Sequence, residues 1–301
     1  MNTKTKGILN GAIASASYGT NPLFALPLFA AGIGVNSVLF YRYAIAVVIY
    51  GLWIAFVKKL SLKISIKEIL PLFMLAIFFS FSSLTLFDAF KYIEAGIACT
   101  ILFIYPIMVA IIMAIFFKEK ITKTVISAII LTSIGILALY NGKPGTTLNM
   151  HGIIVVLLSA LLYALYIVGV KNIKTINEMN QDKMSFYIMF FGLFVYICNL
   201  KFCTQLQIIN NPILWLYTIG LSIFPTIISL ETINIAIKLI GSTLTAILGA
   251  LEPLTAIFFG IVFFHQHLTL RISLGITLIL LGVLLIVTQK NKTKESVDCL
   301  K

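Results

Sequence analysis

The residue of this chain that is best suited to bind an ion or exchange a proton is a glutamate inside an apolar run. Glu252 stands beside Pro253 in the run GALEPLTAIFF, residues 249 to 259. A carboxylate at the centre of a bilayer costs about 2.5 to 3.5 kcal/mol on insertion scales, and it can bind a cation or exchange a proton. Pro253 lacks an N–H, so a carbonyl of the preceding turn loses its helical partner. A cavity holding water or ligand would satisfy both groups, and pairing with a neighbouring hydroxyl or amide is the structural alternative.

Two further titratable residues stand deep in apolar stretches. Arg42 lies six residues into the stretch that begins near Asn36, which places it about 9 Å below the membrane surface at 1.5 Å of rise per residue. Its guanidinium either faces a ligand or extends to the lipid headgroups, and both interpretations stay open. Glu231 lies roughly two turns from the end of its stretch, where it can bind substrate or carry a coupling proton, yet also find water.

Hydrogen-bonding residues also interrupt the first apolar stretch, which reads YGTNP from Tyr18 to Pro22. Asn21 at mid-depth is a candidate for substrate binding, and close packing between helices is the alternative for its small neighbours. Tyr18 would line the same cavity, and Tyr163 would face it from the second half of the chain. Four prolines are expected to bend their helices. They are Pro22, Pro106, Pro225 and Pro253.

The elements that position these residues follow from composition. Hydrophobic residues make up 60% of the 301, charged residues 11%, and the mean hydropathy is +1.07. Apolar runs of about 20 residues follow one another along the chain, which predicts an all-α membrane protein, since barrel strands would alternate over about ten positions. The predicted spans are ten: about 7 to 28, 36 to 57, 69 to 90, 93 to 117, 122 to 140, 152 to 170, 184 to 200, 213 to 237, 241 to 264 and 269 to 288.

Basic residues are distributed unequally between the two sides of these spans. With the N-terminus in the cytoplasm, 17 of the 22 Lys and Arg residues fall on the cytoplasmic side, four on the other, and Arg42 within a span. The positive-inside rule then places both termini in the cytoplasm, in a multi-pass protein of the cell inner membrane. The same loops account for the net charge of +12, so we expect no nucleic-acid partner.

The chain contains an internal repeat. Residues 89 to 122 align without gaps with residues 236 to 269, at an offset of 147. The matched pairs include Pro106 with Pro253 and Gly135 with Gly282. Tyr18 matches Tyr163 at an offset of 145, a fainter match for which chance is the alternative. We predict a first five-helix repeat over 1–145, a second over 146–290 and a basic cytoplasmic tail over 291–301. An odd number of spans per repeat inverts the second copy, a geometry common among secondary transporters with a site near the midplane.

Several motifs carry a resemblance to a known family. They are LFYRYAIA around Arg42, AFKYIEAG before the fourth span, Pro106, LEP at 251–253, and FFKEKIT at 116–122. Over nearly its whole length the chain resembles the EamA-type ten-span members of the drug/metabolite transporter superfamily. It departs at Gln266, which stands where the repeat would match Glu119. The resemblance implies movement of small metabolites such as amino acids, nucleotide sugars or organic cations, often outward and without ATP.

The expected function is a secondary active transporter, an exporter or exchanger of small metabolites such as amino acids that works by alternating access. Multidrug or organic-cation efflux is one alternative, and a non-transporting membrane enzyme or structural partner is another. Intramembrane catalysis would require paired aspartates or a Ser with His or Lys at depth, and the sequence contains neither at depth. His265 and His267 point to different helix faces, so we predict neither metal nor cofactor. The expected partners are a small-molecule substrate, the lipid bilayer and coupling protons, with the chain a monomer or homodimer.

Overall fold

The structure is a computed structural model that describes residues 2–93, 95–139, 149–264 and 270–288. The elements in these ranges are helices, and they form an all-α membrane protein of ten spans in two inverted five-helix repeats, as predicted. Within the described residues, four helical segments are long and apolar enough to cross a bilayer by themselves: Val35–Lys58, Ile66–Ala89, Met150–Asn172 and Pro212–Ile240. His265, Gln266, His267 and the tail 291–301 lie outside the described residues.

The first repeat has two spans that are each split into two helices. Span one consists of α1 (Thr3–Tyr18) and α2 (Asn21–Ala30), and span four of α5 (Ala95–Leu102) and α6 (Tyr105–Phe117). The others are span two, α3 (Val35–Leu52) continued by a π-helix (Trp53–Lys58), span three, α4 (Ile66–Ala89), and span five, α7 (Lys123–Leu139).

The second repeat has its interruptions in spans eight and nine. Span eight consists of α11 (Pro212–Ser222), a π-helix (Ile223–Ile228) and α12 (Ser229–Ile240), and span nine of α13 (Ser242–Leu248) and α14 (Leu251–Phe264). The others are span six, α8 (Met150–Asn172), a short α9 (Lys174–Glu178), span seven, α10 (Gln181–Asn199), and span ten, α15 (Leu270–Thr288).

Polar caps set where several of these helices begin. Ser65 and Glu68 form a capping box at the start of α4. The side chains of Asn149, Asn180 and Asn211 accept hydrogen bonds from the first free amides of α8, α10 and α11. Each cap supplies a partner for an N–H that has none within its helix, so the apolar helix can start at the residue where the polar loop ends.

Each of the four prolines lies at an interruption of its helix. Pro22 and Pro106 occupy the second positions of α2 and α6, and Pro253 the third position of α14. The first turn of a helix needs no N–H from these positions, so a proline starts a new helix there without losing a hydrogen bond. Pro225 lies within the π-helix of span eight, where the backbone bulges instead of breaking.

The packing of the helices repeats when the two halves are exchanged. Span three packs against span six, and span eight against span one. Span four packs against span six, and span nine against span one. Spans five and ten pack on each other, as do spans two and seven. This pattern is what an inverted pair of repeats produces, because each of these contacts has a counterpart related by the pseudo-two-fold axis.

Two glycines allow spans five and ten to cross closely. A methyl group on Gly135 would meet the carbonyl of Gly275 and the side chain of Ile279. A methyl group on Gly282 would meet Thr132 in the opposite direction. Gly135 and Gly282 are the pair matched at an offset of 147, so the repeat supplies the same backbone contact twice, in the way that small residues join membrane helices.

The two ends of the bundle differ in charge. We call the end with the loops 59–65, 118–122 and 173–180 the basic end, and the end with the loops 31–34, 90–93 and 200–211 the opposite end. Near the basic end the core contains a buried hydrogen-bonded cluster. In it the Tyr166 hydroxyl donates to the Asn234 side-chain oxygen at 2.5 Å, and the Asn234 amide donates to the Ser185 hydroxyl at 3.0 Å.

Candidate functional site

A cavity lies where spans one, four and nine are interrupted, and it extends toward the opposite end. Its volume is about 70 Å³, enough for a few water molecules. Spans one, three, four and nine supply its wall. The lining residues are Tyr18, Gly19, Asn21, Pro22, Ala25, Leu26, Phe29, Leu86, Phe87, Phe90, Cys99, Leu102, Phe103, Tyr105, Glu252 and Pro253. The wall is therefore mostly aromatic and aliphatic, with a small number of polar groups.

Glu252 is the acidic group of this wall, at the second position of α14. Its backbone is held against span one, since a methyl group on Gly19 would meet the Glu252 carbonyl. Its carboxylate lies within hydrogen-bonding reach of the Tyr105 hydroxyl. The carboxylate thus faces the cavity with one donor beside it, which leaves further acceptor capacity for a ligand.

Tyr105 owes its position to a glycine on the facing span. A methyl group on Gly249 would overlap the Tyr105 hydroxyl. Tyr105 and Glu252 are separated by 147 positions, which is the repeat offset, so they occupy equivalent places in the two halves. Equivalent residues can touch only near the pseudo-two-fold axis. The cavity therefore lies beside that axis, at the depth of the helix interruptions.

Asn21 contributes an open acceptor to the same cavity. The residue is 9% exposed, and its side-chain oxygen has no hydrogen-bond partner among the described residues. The interruption before it is held by Thr20, whose hydroxyl donates to the Ser17 carbonyl at 2.6 Å. A buried amide oxygen without a partner is costly, so it indicates a donor that binds from the cavity, either water or a ligand.

Tyr18 and Tyr163 meet at the centre of the bundle. Their rings stack with centroids 6.3 Å apart and 13° between planes. Tyr105 packs edge-on against Tyr163 with centroids 4.8 Å apart. Tyr18 lines the cavity, whereas Tyr163 packs behind Tyr18 and Tyr105 without lining it. The pair matched at an offset of 145 is thus a second contact close to the axis.

Arg42 is enclosed within the bundle, with no exposed side-chain surface. Its Nε donates to the Thr226 hydroxyl at 2.5 Å, and its Nη2 donates to the Pro225 carbonyl at 2.9 Å. It therefore binds the π-helix of span eight and does not reach the surface of the bundle in this structure. The ion pairs among the described residues include neither Arg42 nor Glu252, so these two charges are not directly paired.

Glu231 stands apart from the cavity. It lies near Asp182 and the Tyr50 hydroxyl toward the basic end. Tyr50 donates to Asp182 at 3.3 Å, and Lys58 pairs with Asp182 at 3.5 Å. The structure thus brings Glu252, Asn21 and Tyr18 together at one cavity, with Tyr163 and Arg42 behind the wall and Glu231 elsewhere.

Several lining residues were not among the candidates from sequence. Tyr105 is the most important, and the repeat alignment contained its signal because it pairs Tyr105-Pro106 with Glu252-Pro253. The phenylalanines of the wall carry no such signal, since the chain contains 23 phenylalanines and nothing in the sequence distinguishes those of the wall. Among the described residues no group of three or more His, Cys, Asp or Glu side chains could hold a metal ion.

Comparisons with known proteins identify a family and several proteins that are similar to this chain in sequence or structure. The model of the EamA-like transporter family matches residues 5–141 and 150–288. An uncharacterized transporter, YxxF of Bacillus subtilis, is 24% identical over 98% of this chain and 95% of its own length. An uncharacterized transporter of Archaeoglobus fulgidus is 25% identical over 70% of this chain and 74% of its own length. A crystal structure that is 15% identical superposes with a TM-score of 0.78 over 94% of this chain and 97% of the other.

Proposed function

This chain belongs to the EamA-like transporter family, and on that premise we propose that it is a secondary active transporter that moves a small amine-bearing metabolite by alternating access. Amino acids are the proposed solutes, with organic cations as the alternative within the same chemistry. We propose outward transport or exchange, powered by the proton gradient or by a counter-solute. The family membership and the names of the relatives support membrane transport itself.

The observation that carries this proposal is the position of Glu252 in the wall of the cavity, together with Asn21. The Glu252 carboxylate and the open Asn21 oxygen are both acceptors, so they favour a ligand that presents donors and positive charge. The phenyl rings of Phe29, Phe87 and Phe103 add an apolar surface with electron-rich faces. Protonated amines bind well between a carboxylate and aromatic rings.

Proton coupling follows from the same carboxylate. If Glu252 binds either a proton or a protonated amine, the two compete for one site. The bundle can then change from one open conformation to the other with whichever of the two ligands the gradients favour. The location of the cavity beside the pseudo-two-fold axis supports exchange between the two ends, because a site on the axis can be reached from both by rocking the halves.

The proposed orientation has the basic end and both termini in the cytoplasm of a cell whose inner membrane holds the protein. The distribution of Lys and Arg, 17 on that side against four, supports it. In that orientation the described cavity extends from mid-membrane toward the outer side.

The test is counterflow in proteoliposomes with the purified full chain. Labelled amino acids and a labelled polyamine would be taken up against unlabelled solute, between pH 6 and pH 8.5. Replacing Glu252 with Gln removes the charge and keeps the shape. We expect flux to fall by roughly tenfold or more, from the loss of a charge-assisted hydrogen bond of about 1.5 to 3 kcal/mol, and the remaining flux to lose its dependence on pH.

The matched control is Glu178→Gln, the same chemical change at an exposed residue of α9. We expect it to leave flux within about twofold of the wild type, since surface substitutions of this kind have small effects. Membrane insertion is compared by the yield of monodisperse protein for each variant. Unchanged flux and pH profile in Glu252→Gln would remove this residue from the site, and no flux of any solute by the wild type would contradict the transport mechanism.

A further inference from the structure

The Arg42 guanidinium has one hydrogen-bonding group without a partner. Nε and Nη2 are held by Thr226 and the Pro225 carbonyl. Nη1 has no acceptor among the described residues, although the side chain is completely buried. Two donors are therefore sufficient to fix the guanidinium to span eight, and the third is left for another acceptor. Buried donors of charged groups are otherwise almost always paired.

Arg42 also takes part in none of the ion pairs found among the described residues. Its immediate neighbours are the rings of Tyr18 and Tyr43, whose centroids lie 6.0 Å and 5.9 Å from its Cζ. Ring faces stabilise a cation only partly. An arginine inside a membrane protein is by default a functional candidate, and here the missing partner is an anion.

Tyr18 separates this guanidinium from the cavity. Its ring lies against Arg42 on one side and forms part of the cavity wall on the other. Tyr18 is the last residue of α1, directly before the interruption at Gly19 and Thr20. Tyr18 is therefore the side chain that lies between Arg42 and the cavity whose wall contains Glu252 and Asn21.

We propose that Arg42 is a carboxylate-binding subsite that opens into the cavity when Tyr18 turns. The proposal rests on the proposed function, because it assumes that the cavity binds the transported solute. A solute that carries both an ammonium and a carboxylate would place the ammonium at Glu252 and Asn21 and the carboxylate at Nη1 of Arg42. Guanidinium groups bind carboxylates through parallel hydrogen bonds, which gives this end of the site a preference for that group.

Three aromatic probes that share one ring and differ in charged groups test the subsite. They are L-phenylalanine with both groups, phenethylamine with the amine alone, and 3-phenylpropionate with the acid alone. Affinities are measured by isothermal titration calorimetry on the full chain in lipid nanodiscs. We expect the wild type to bind phenylalanine at least tenfold more tightly than phenethylamine. Equal affinities for these two probes would overturn the subsite and leave the amine site intact.

Variants then assign the preference to the guanidinium. Arg42→Gln is expected to reduce the ratio between phenylalanine and phenethylamine to about one, while phenethylamine binds as before. Lys201→Gln is the matched control, because it removes one positive charge at an exposed residue of the opposite end. It should keep the ratio within twofold of the wild type. Equal loss of the ratio in both variants would show that the preference does not depend on the guanidinium of Arg42.

The outcomes separate this inference from the proposed function. Should Arg42→Gln fail to fold, Arg42→Lys replaces it, since lysine keeps the positive charge and removes the parallel donors of the guanidinium, and a reduced ratio is again expected. Binding of phenethylamine that Glu252→Gln does not weaken would contradict the amine site instead. The absence of binding by all three probes to the wild type would contradict both proposals.

Discussion

At the scale of single residues, the cavity depends on a carboxylate and a hydroxyl that occupy the same place in the two repeats. Glu252 and Tyr105 follow the same helix interruption and precede the same proline. Divergence of the repeat placed an acid on one side and a phenol on the other. The phenol is a donor and the acid is an acceptor, so the two matched positions can form a hydrogen bond.

The contact between Tyr105 and Gly249 can be tested with a double-mutant cycle. Gly249→Ala places a methyl group where the Tyr105 hydroxyl lies, so we expect displacement of the hydroxyl from Glu252 and a fall in flux of about three- to tenfold, which corresponds to one hydrogen bond. Tyr105→Phe should lose a similar amount. The double variant should match Tyr105→Phe alone, because the overlap disappears with the hydroxyl. Additive losses in counterflow would contradict this geometry.

Part of this site could be predicted from the sequence, and the signal that allowed or prevented the prediction differs from residue to residue. The depth of Glu252 and its neighbour Pro253 indicated a cavity, and Tyr105 was within reach because the repeat offset pairs it with Glu252. Depth alone does not reveal which way a helix faces, so Glu231 could not be separated from the cavity residues. The partners of Arg42 lie 183 and 184 positions away, and no periodic pattern connects residues so distant in the chain.

At the scale of helices, the interruptions decide where the site forms. The ten spans and the repeat were predictable, since long apolar runs and a gapless self-alignment report them directly. The π-helices at 53–58 and 223–228 could not be predicted from the sequence, because one additional residue in a turn leaves the apolar composition of the span unchanged. Prolines marked the breaks, yet only the structure shows that spans one, four and nine break around a common cavity.

The crossing of spans five and ten yields a prediction about stability. Gly135→Leu and Gly282→Leu each insert a side chain into a backbone contact, and we expect a loss of about 1 to 3 kcal/mol in each case from overpacking. The measurement is the apparent melting temperature of the purified protein in detergent. Ile134→Ala is the control, since Ile134 is exposed on the same helix. A melting temperature that falls no further for the glycine variants than for the control would contradict the close crossing.

At the scale of the whole molecule, the inverted repeat makes orientation testable with the cysteines of the chain. Cys203 lies in the loop at the opposite end. With the other cysteines replaced by Ser, a membrane-impermeant maleimide applied to intact cells should label Cys203. The variant Glu178→Cys with Cys203→Ser, at the basic end, should be labelled only after the cells are permeabilised. Labelling in the reverse order would invert the proposed topology.

The two halves share a backbone fold, but the side chains of the cavity wall differ from those at the equivalent positions of the other half. Leu102 and Phe103 line the cavity, while their counterparts at an offset of 147 are Gly249 and Ala250. If the halves exchange conformations, the cavity formed toward the basic end would be larger and less apolar. The same solute would then be retained more strongly on one face of the membrane than on the other. Such a protein would bind its solute with different affinities at the two faces even without a gradient, whereas a perfectly symmetric duplicate would bind it equally at both.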